Sequence, residues 1–526
     1  MIKKYSHALI KPITIIINQS LNTGIFPNQL KIAKVIPIYK NNNLDVNDLN
    51  NYRPISILPT ISKIFERIVY DQIYNYLDKN NLLYISQYGF RPKHSTEFAV
   101  IELIDEIYKN LDNSKNPLVV FCDLSKAFDT LDHTILLKKM KSFGFSDKTI
   151  DWFKNYLSNR KQYVVLDNTS SSFMSIKTGV PQGSILGPLL FLLYVNDLSS
   201  STQAKIISYA DDTCLLTPIS LNNSNLSIET QTNSVNKKLD NLYNWLSVNK
   251  LSLNIKKTKF MLFHFYQREL KEFQIPKLKI NNNVIEKVDT FKFLGIHIDS
   301  TLSWHKHINE TSNKISKTNG ILSYLSRFIP SKILLIIYNS LVLSHLNYGI
   351  TLWGFGNYER LQTIQKKALR NVNKSPFNSH CSPICKTFKT LLLDDLFKLA
   401  CIKFYYKYQN KQLPLYFHNH QFINMESLLG NSSRKINFPK KFSMFFTTSV
   451  VIQPQIQIPI SNKKSSQKCL RFYLPYLINI KYLPDCAITK IKTHSFQGFV
   501  NYCKNIIINN YNTICQVRNC FVCSCV

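Results

Sequence analysis

Residues 206–216 read IISYADDTCLL, placing two adjacent carboxylates, Asp211 and Asp212, inside a run that otherwise has the composition of a buried strand. A carboxylate in an apolar interior is disfavoured unless it is paired, hydrogen-bonded or bound to a cation. Neighbouring side chains of a continuous strand also point to opposite faces. A tight hairpin removes both difficulties: IISY and TCLL become the arms, the small Ala210 sits in the turn, and both acids reach the edge of the sheet. An Asp-Asp pair by itself is more often a turn or a solvated loop. Apolar strand residues on both sides make that the minority reading here.

The doublet stands out because the chain is short of acids. Its 526 residues hold 65 Lys and Arg against 32 Asp and Glu, a formal net charge of +33. Such an excess favours a polyanionic partner, nucleic acid first and an anionic membrane surface second, over a merely solvated basic surface. Hydrophobic residues make up 44% of the chain, which excludes wholesale disorder, and the length allows several domains. No stretch approaches the roughly 18 apolar residues of a membrane span. The start, MIKKYSHALIKPITIIIN, is interrupted by Lys11 and Pro12 and no small-residue cleavage site follows, so it reads as a helical segment. The 12 cysteines are mostly scattered, which suits a reducing compartment better than a disulfide framework. The expectation is an intracellular protein, nuclear or cytoplasmic, without a membrane partner.

Periodicity predicts the elements around the doublet. Ile61, Ile64, Phe65, Ile68, Val69 and Leu77 recur at helical spacing, with Thr60 as the expected N-cap. The loop QYGFRPKHST (87–96) opens a helix through Ile107, and residues 118–122 read as a fully buried strand ending at Asp123. Helices are expected from about Ile135 and over 147–158, and QYVVLD (162–167) with FMSIKTG (173–179) form a hairpin pair. PQGSILGPLLFLLYVNDL (181–198) is a loop passing into an apolar helix. Residues 229–251 form an amphipathic helix, 250–263 two short strands around a basic turn, 291–299 one further strand, and 304–350 are mostly helical. Strands mixed with helices, without regular βαβ alternation, argue for an α+β fold. From residue 397 onward there are seventeen basic residues and two acids, Glu426 and Asp485.

Phosphoryl transfer consists mostly of positioning and charge stabilisation, usually by two metal ions about 3.5–4 Å apart. Mg²⁺ takes oxygen ligands, and substrate phosphates and water complete its shell, so two or three carboxylates from separate elements suffice. Asp123, Asp211 and Asp212 offer such a set.

The blocks YADD (209–212), FCDLSKAFDTLDH (121–133), GVPQGSILGPLLFLLYVNDL (179–198) and NYRPISILPTISKIFERIV (51–69) occur in the order and approximate spacing of reverse transcriptases. The chain resembles the enzymes of non-LTR (LINE-type) retrotransposons, the jockey-like group above all, over roughly residues 17–395. The resemblance implies a right-hand polymerase: an N-terminal helical segment (1–16), fingers and a palm with a small antiparallel sheet (17–299), a helical thumb (300–395) and a basic C-terminal region (396–526). It implies RNA-directed DNA synthesis with an RNA template, a DNA primer or target DNA, and deoxynucleoside triphosphates. Protein partners are not implied.

By the same resemblance Asp123, Asp211 and Asp212 hold two Mg²⁺ ions, for which Mn²⁺ can substitute. Phe128 lies under the incoming sugar and excludes a 2′-hydroxyl; by spacing alone it would be a core residue. Gln182 and Gly183 contact nucleotide and template, although an ordinary turn with Ser184 capping the next helix is the plain alternative. Arg53, held extended by the following proline, and Lys40 match positions that clamp the triphosphate. Lys257 matches the lysine that protonates the leaving pyrophosphate, with Lys256 and Lys259 close enough for the assignment to slip. Arg91, in the Gly89-Phe90-Arg91 loop, belongs to the template-handling surface. Asp129 and Asp132 fall outside the metal shell, and a helix cap or local hydrogen bond is expected of Asp129.

The family usually carries an upstream endonuclease of the apurinic type. Only a short segment precedes the polymerase blocks, which is expected of a truncated copy or a fragment. The two acids after residue 397 argue against an RNase H. Cys515, Cys520, Cys523 and Cys525 at the end could bind zinc, but they supply one CxxC pair and no histidine follows His494, so free thiols are the default reading. Two rivals stand beside the polymerase. One is a decayed relic that only binds nucleic acid; the other is a group II intron-type maturase, for which neither a splicing domain nor an HNH nuclease motif is visible.

Overall fold

The computed structural model describes residues 4–40, 45–125, 127–167, 169–221, 227–265, 276–418 and 495–509, with the single positions 491, 493 and 511. Helix α1 (Ser6–Thr23) carries Pro12 inside it and ends at Gly24 in the left-handed region, φ +72°. Strands β1 (Ile32–Tyr39) and β2 (Tyr52–Ile57) pair antiparallel. Helix α2 (Thr60–Lys79) occupies the predicted span, but Thr60 is its first residue and gives no side-chain cap; the extended Pro59 precedes it. Ser95 does cap α3 (Thr96–Asp112), its hydroxyl accepting from the Phe98 N–H. The expected buried strand is β3 (Asn116–Cys122), followed by β4 (Leu124–Ser125), α4 (His133–Ser142) and α5 (Asp147–Leu157).

Strands β5 (Arg160–Leu166), β6 (Thr169–Ser170) and β7 (Met174–Ile176) include the predicted pair, and β5 joins β1 in parallel. The apolar helix α6 (Leu186–Val195) leads to the hairpin β8 (Lys205–Tyr209) and β9 (Asp212–Ile219), then to α7 (Ile228–Val248). Strands β10 (Ser252–Leu253) and β11 (Lys259–Leu262) flank the basic turn but pair with different partners, β4 and β3. Short strands β12 (Lys279–Ile280), β13 (Asn283–Val284) and β14 (Glu286–Lys287) follow. The strand expected over 291–299 is instead a hairpin, β15 (Thr290–Phe293) and β16 (Ile296–Asp299). Leu294 and Gly295 take φ of +46° and +84°, a reversal that no single strand can contain.

Helices dominate thereafter. Helix α8 (His305–Leu325) is followed by α9 (Ser331–Tyr338), which continues through a π-helical turn at Asn339–Leu343 into α10 (Ser344–Asn347). Then come α11 (Ile350–Trp353), α12 (Glu359–Asn373), α13 (Cys381–Phe388), α14 (Leu393–Gln409), α15 (Leu415–His418) and α16 (Phe496–Asn509). The architecture is mixed α+β. Among the described residues no helix is long and apolar enough to cross a membrane.

The central sheet has the order β14-β11-β3-β9-β8 and is covered on both faces. Alternation sorts its side chains. Val119, Phe121, Cys214, Leu216 and Met261 enter one core with α3 and the helices after residue 304. Leu118, Val120, Cys122, Leu215 and Phe260 enter a second core with α2, α5, α6 and α7. Burial on both faces explains why 118–122 is continuously apolar rather than alternating.

His307 of α8 lies in the first core, 5% exposed. Its Nδ1 accepts from the His297 N–H at 3.3 Å, so its proton sits on Nε2, which is buried without a partner among the described residues. Burial, then the nearby His297, Lys314 and Lys292, lower its pKa to about 4. The unfolded chain protonates this ring near 6.5, so the stability it contributes is full above that pH and is lost as pH falls toward 4. Urea unfolding at pH 7 and pH 4.5 should show H307L losing about 2–3 kcal/mol less than the parent over that interval.

Candidate active site

The hairpin expected at residues 206–216 forms, and its register decides where the acids lie. Tyr209 pairs with Asp212, leaving Ala210 and Asp211 as a two-residue turn. On the other side of β9, Thr213 pairs with Cys122. One step further along this antiparallel register sets Asp123 beside Asp212, so three carboxylates gather at one end of the central sheet. Ala210 has φ +57°, a left-handed conformation that costs an L-residue about 1 kcal/mol.

The acids act on one another electrostatically. Burial, then the like charges of Asp211 and Asp123, raise Asp212 to about 6. Its side chain keeps an exposed surface, so the two neighbouring charges are the sturdier part of that shift. Asp211 is half-buried and also raised, by burial first and by Asp123, while the positive charge of Arg53 opposes the rise. Arg53 projects from β2, where it pairs with Ile38. Lys257 comes from the turn after β10, which is tied to the site because the Asn254 N–H donates to the Asp123 carbonyl at 2.8 Å. Its Nζ lies 3.9 Å from Asp123 Oδ2, while Lys259 turns away to Glu286 at 2.5 Å. The geometry therefore favours Lys257 over Lys259 as the lysine facing the acids. With both groups exposed, that pair contributes at most about 1 kcal/mol to stability.

Two loops complete the surroundings and are laced together. The Val180 N–H donates to the Phe128 carbonyl at 2.9 Å and the Gly179 N–H to the Leu131 carbonyl at 2.7 Å. Phe128 stacks on Phe191 with centroids 4.6 Å apart and meets Phe90 edge-on at 5.8 Å. Gln182 Nε2 donates to Asp129 Oδ1 at 2.9 Å, so Asp129 binds across the loops while Asp132 is the residue that caps α4. The Gln182 carbonyl accepts from the Ser56 N–H at 2.8 Å, fastening the loop to the strand that carries Arg53. Ser184 Oγ accepts from the Gly187 N–H at 3.0 Å, as expected at the start of α6.

Lys40 and Arg91 are held by other contacts. Lys40 Nζ donates to the Asn50 carbonyl at 2.6 Å. Arg91 is half-buried, its Nη1 donating to the Tyr84 and Gln87 carbonyls at 2.8 and 3.2 Å, so it braces its own loop. The four C-terminal cysteines fall outside the described residues. Periodicity passed over Glu66, whose side chain is fully buried and accepts from the Ile185 N–H at 2.6 Å and the Tyr156 hydroxyl at 3.1 Å. It fixes the start of α6, where a carboxylate also meets the positive end of the helix dipole. The available signal was an acid on an otherwise apolar helix face.

The donor set suits a hard divalent cation: carboxylate oxygens from separate strand ends, two of them raised in pKa by burial first and then by neighbouring carboxylate charge. Among the described residues no three ligating side chains close into a cage. The acids feel one another's charge across an open site, which leaves room for ligands from a substrate.

Gly183 has φ +127°, and a Cβ there would stand 2.5 Å from the Ser56 carbonyl oxygen. G183A should lose about 2–3 kcal/mol of stability in denaturant unfolding. G320A, where a Cβ meets nothing within 4 Å, should be neutral or gain about 0.5–1 kcal/mol.

Residues 38–298 match the family model described as Reverse transcriptase (RNA-dependent DNA polymerase). The chain is 27% identical over 399 residues to the RNA-directed DNA polymerase from mobile element jockey of Drosophila melanogaster, covering 73% of this chain and 42% of that protein. It is 29% identical over 379 residues to the Probable RNA-directed DNA polymerase from transposon BS of the same species, covering 69% and 41%. The chain thus spans about two fifths of the length of the curated relatives it matches. A solved structure of apo telomerase from Candida tropicalis aligns over 79% of this chain and 73% of that one at 13% identity, with a TM-score of 0.39, too loose to carry an argument. From the family match over the blocks that build this site, the chain belongs to the reverse transcriptase (RNA-dependent DNA polymerase) family, and within it is similar to the polymerases of mobile element jockey and transposon BS.

Proposed function

We propose that this chain is an RNA-directed DNA polymerase that adds deoxynucleotides to a primer 3′-hydroxyl on an RNA template. The observation that carries the reading is the convergence of Asp123, Asp211 and Asp212 at one sheet end, with the cations Arg53 and Lys257 beside them. In this reading residues 17–299 form fingers and palm, the helices of 300–395 the thumb, and 396–526 a basic extension.

Asp123, Asp211 and Asp212 would hold divalent cations, Mg²⁺ or Mn²⁺, which when bound make the primer hydroxyl more acidic and offset charge on the phosphates. Arg53 suits the triphosphate, because a planar guanidinium can present two donors to phosphate oxygens. Lys257 would give a proton to departing pyrophosphate, a role supported by its approach to Asp123. Phe128, held between Phe90 and Phe191, would close the space beneath the sugar against a 2′-hydroxyl. The basic excess elsewhere suits a template–primer duplex, whose affinity should fall with salt.

Purified chain should extend oligo(dT) on poly(rA) with Mg²⁺, and the D211A/D212A double variant should fall by at least about a thousandfold. Salt-sensitive RNA binding without extension by the parent would overturn the polymerase reading. The F128A variant should narrow the preference for deoxy- over ribonucleotides by about 10- to 100-fold in single-nucleotide incorporation assays. Unchanged discrimination in a folded F128A would remove Phe128 from that role.

A further inference from the structure

The left-handed Ala210 is held from outside the hairpin, by the segment before α3. Residues 86–88 lie along the outer edge of β8: the Ser208 N–H donates to the Ser86 carbonyl at 2.9 Å, and the Tyr88 N–H donates to the Ser208 carbonyl at 2.8 Å. Gln87, 6% exposed, makes a parallel bridge to Ser208 and reaches past it to the turn. Its Oε1 accepts from the Ala210 N–H and from the Gly89 N–H, both at 2.9 Å, and its Nε2 donates to the Ala210 carbonyl at 3.4 Å. One amide thus meets both the donor and the acceptor of the residue that precedes Asp211. Gly89 allows the approach, since a Cβ there would stand 2.2 Å from the Ala210 nitrogen.

The segment is itself anchored. The fully buried Glu102 of α3 accepts from the Ser86 hydroxyl at 2.6 Å and from the Tyr88 hydroxyl, and pairs with Lys205 of β8 at 2.7 Å. Both sides of the Gln87 contact are therefore tied to one helix.

We infer that Gln87 is the positioning residue of the Asp211–Asp212 doublet: its side-chain amide holds Ala210 in the left-handed conformation that aims both carboxylates at Asp123. No other common side chain meets the same demand. Asparagine is one methylene too short to span both N–H groups from this backbone, glutamate lacks the donor and adds charge beside the acids, and methionine has the length but no polar atoms. Gln87 is placed behind the acids rather than at the reacting atoms, so it acts through them. Its effect on extension rests on the polymerase reading; its effect on the turn does not.

The test compares parent chain with Q87M by residue-resolved amide hydrogen exchange and by primer extension. In Q87M the Ala210 and Gly89 amides should exchange about tenfold faster or more, while amides of β3 remain as slow as in the parent. The kcat for extension should fall about tenfold or more and the Mg²⁺ concentration for half-maximal extension should rise, with deoxynucleotide KM and duplex affinity within about threefold of the parent. Unchanged exchange at Ala210 overturns the inference, and so does a released Ala210 amide with kcat within about twofold of the parent. If Q87M gives no cooperative unfolding transition, Q87N decides by the same criteria. A parent chain that fails to extend removes the polymerase reading, and amide exchange alone then decides whether Gln87 holds the turn.

Discussion

The antiparallel pairing of β3 with β9 is the interaction on which the rest depends. Its register sets Cys122 against Thr213, and the position of all three carboxylates follows from that. A slip of one residue would turn Asp212 toward the opposite face and separate it from Asp123. Burial protects the register. β3 is apolar on both faces and feeds two separate cores, so a one-residue slip of either strand would send its side chains into the wrong core.

Around this pairing the structure keeps like charges close and mostly uncompensated. Asp212 is raised to about 6 although the chain as a whole is strongly basic. Lys257 and Arg53 approach the acids without forming tight pairs, one at 3.9 Å and the other acting through its charge. A tight internal salt bridge would neutralise the acids and leave them little affinity for an external cation. Buried acids elsewhere are treated differently: Glu66 and Glu102 are saturated with donors and serve as joints between elements. The contrast separates the open, loosely paired acids at the sheet end from acids used in construction.

Much of the site was legible because its chemistry is written in short contiguous blocks. The YADD hairpin, the strand ending at Asp123 and the loop before α6 each have local signatures in apolar runs and breakers. Errors arose where local pattern meets a non-local demand. The span 291–299 reads as one strand because its apolar residues run on through the turn, where Leu294 adopts a conformation that leucine rarely takes. At Gly183 the sequence marks a loop, but the atom that a Cβ there would meet, the Ser56 carbonyl oxygen, comes from a distant strand. The bonds by which Arg91 braces its own loop, to the Tyr84 and Gln87 carbonyls, likewise leave no local mark in the sequence.

The sequence by itself determined the α+β class, the elements that carry each acid, and the family, because strand and helix periodicities and motif blocks are properties of neighbouring residues. Only the tertiary structure decided which acids meet, that Lys257 rather than Lys259 faces them, and that Gln87 and Glu66 hold the site from behind. Those outcomes depend on contacts between residues distant in the chain, such as Cys122 with Thr213, Gln87 with Ala210 and Glu66 with Ile185. A side-chain amide or carboxylate carries no local mark of the distant backbone it will satisfy. That partner is set by sheet register and helix packing, which emerge only when the whole core closes.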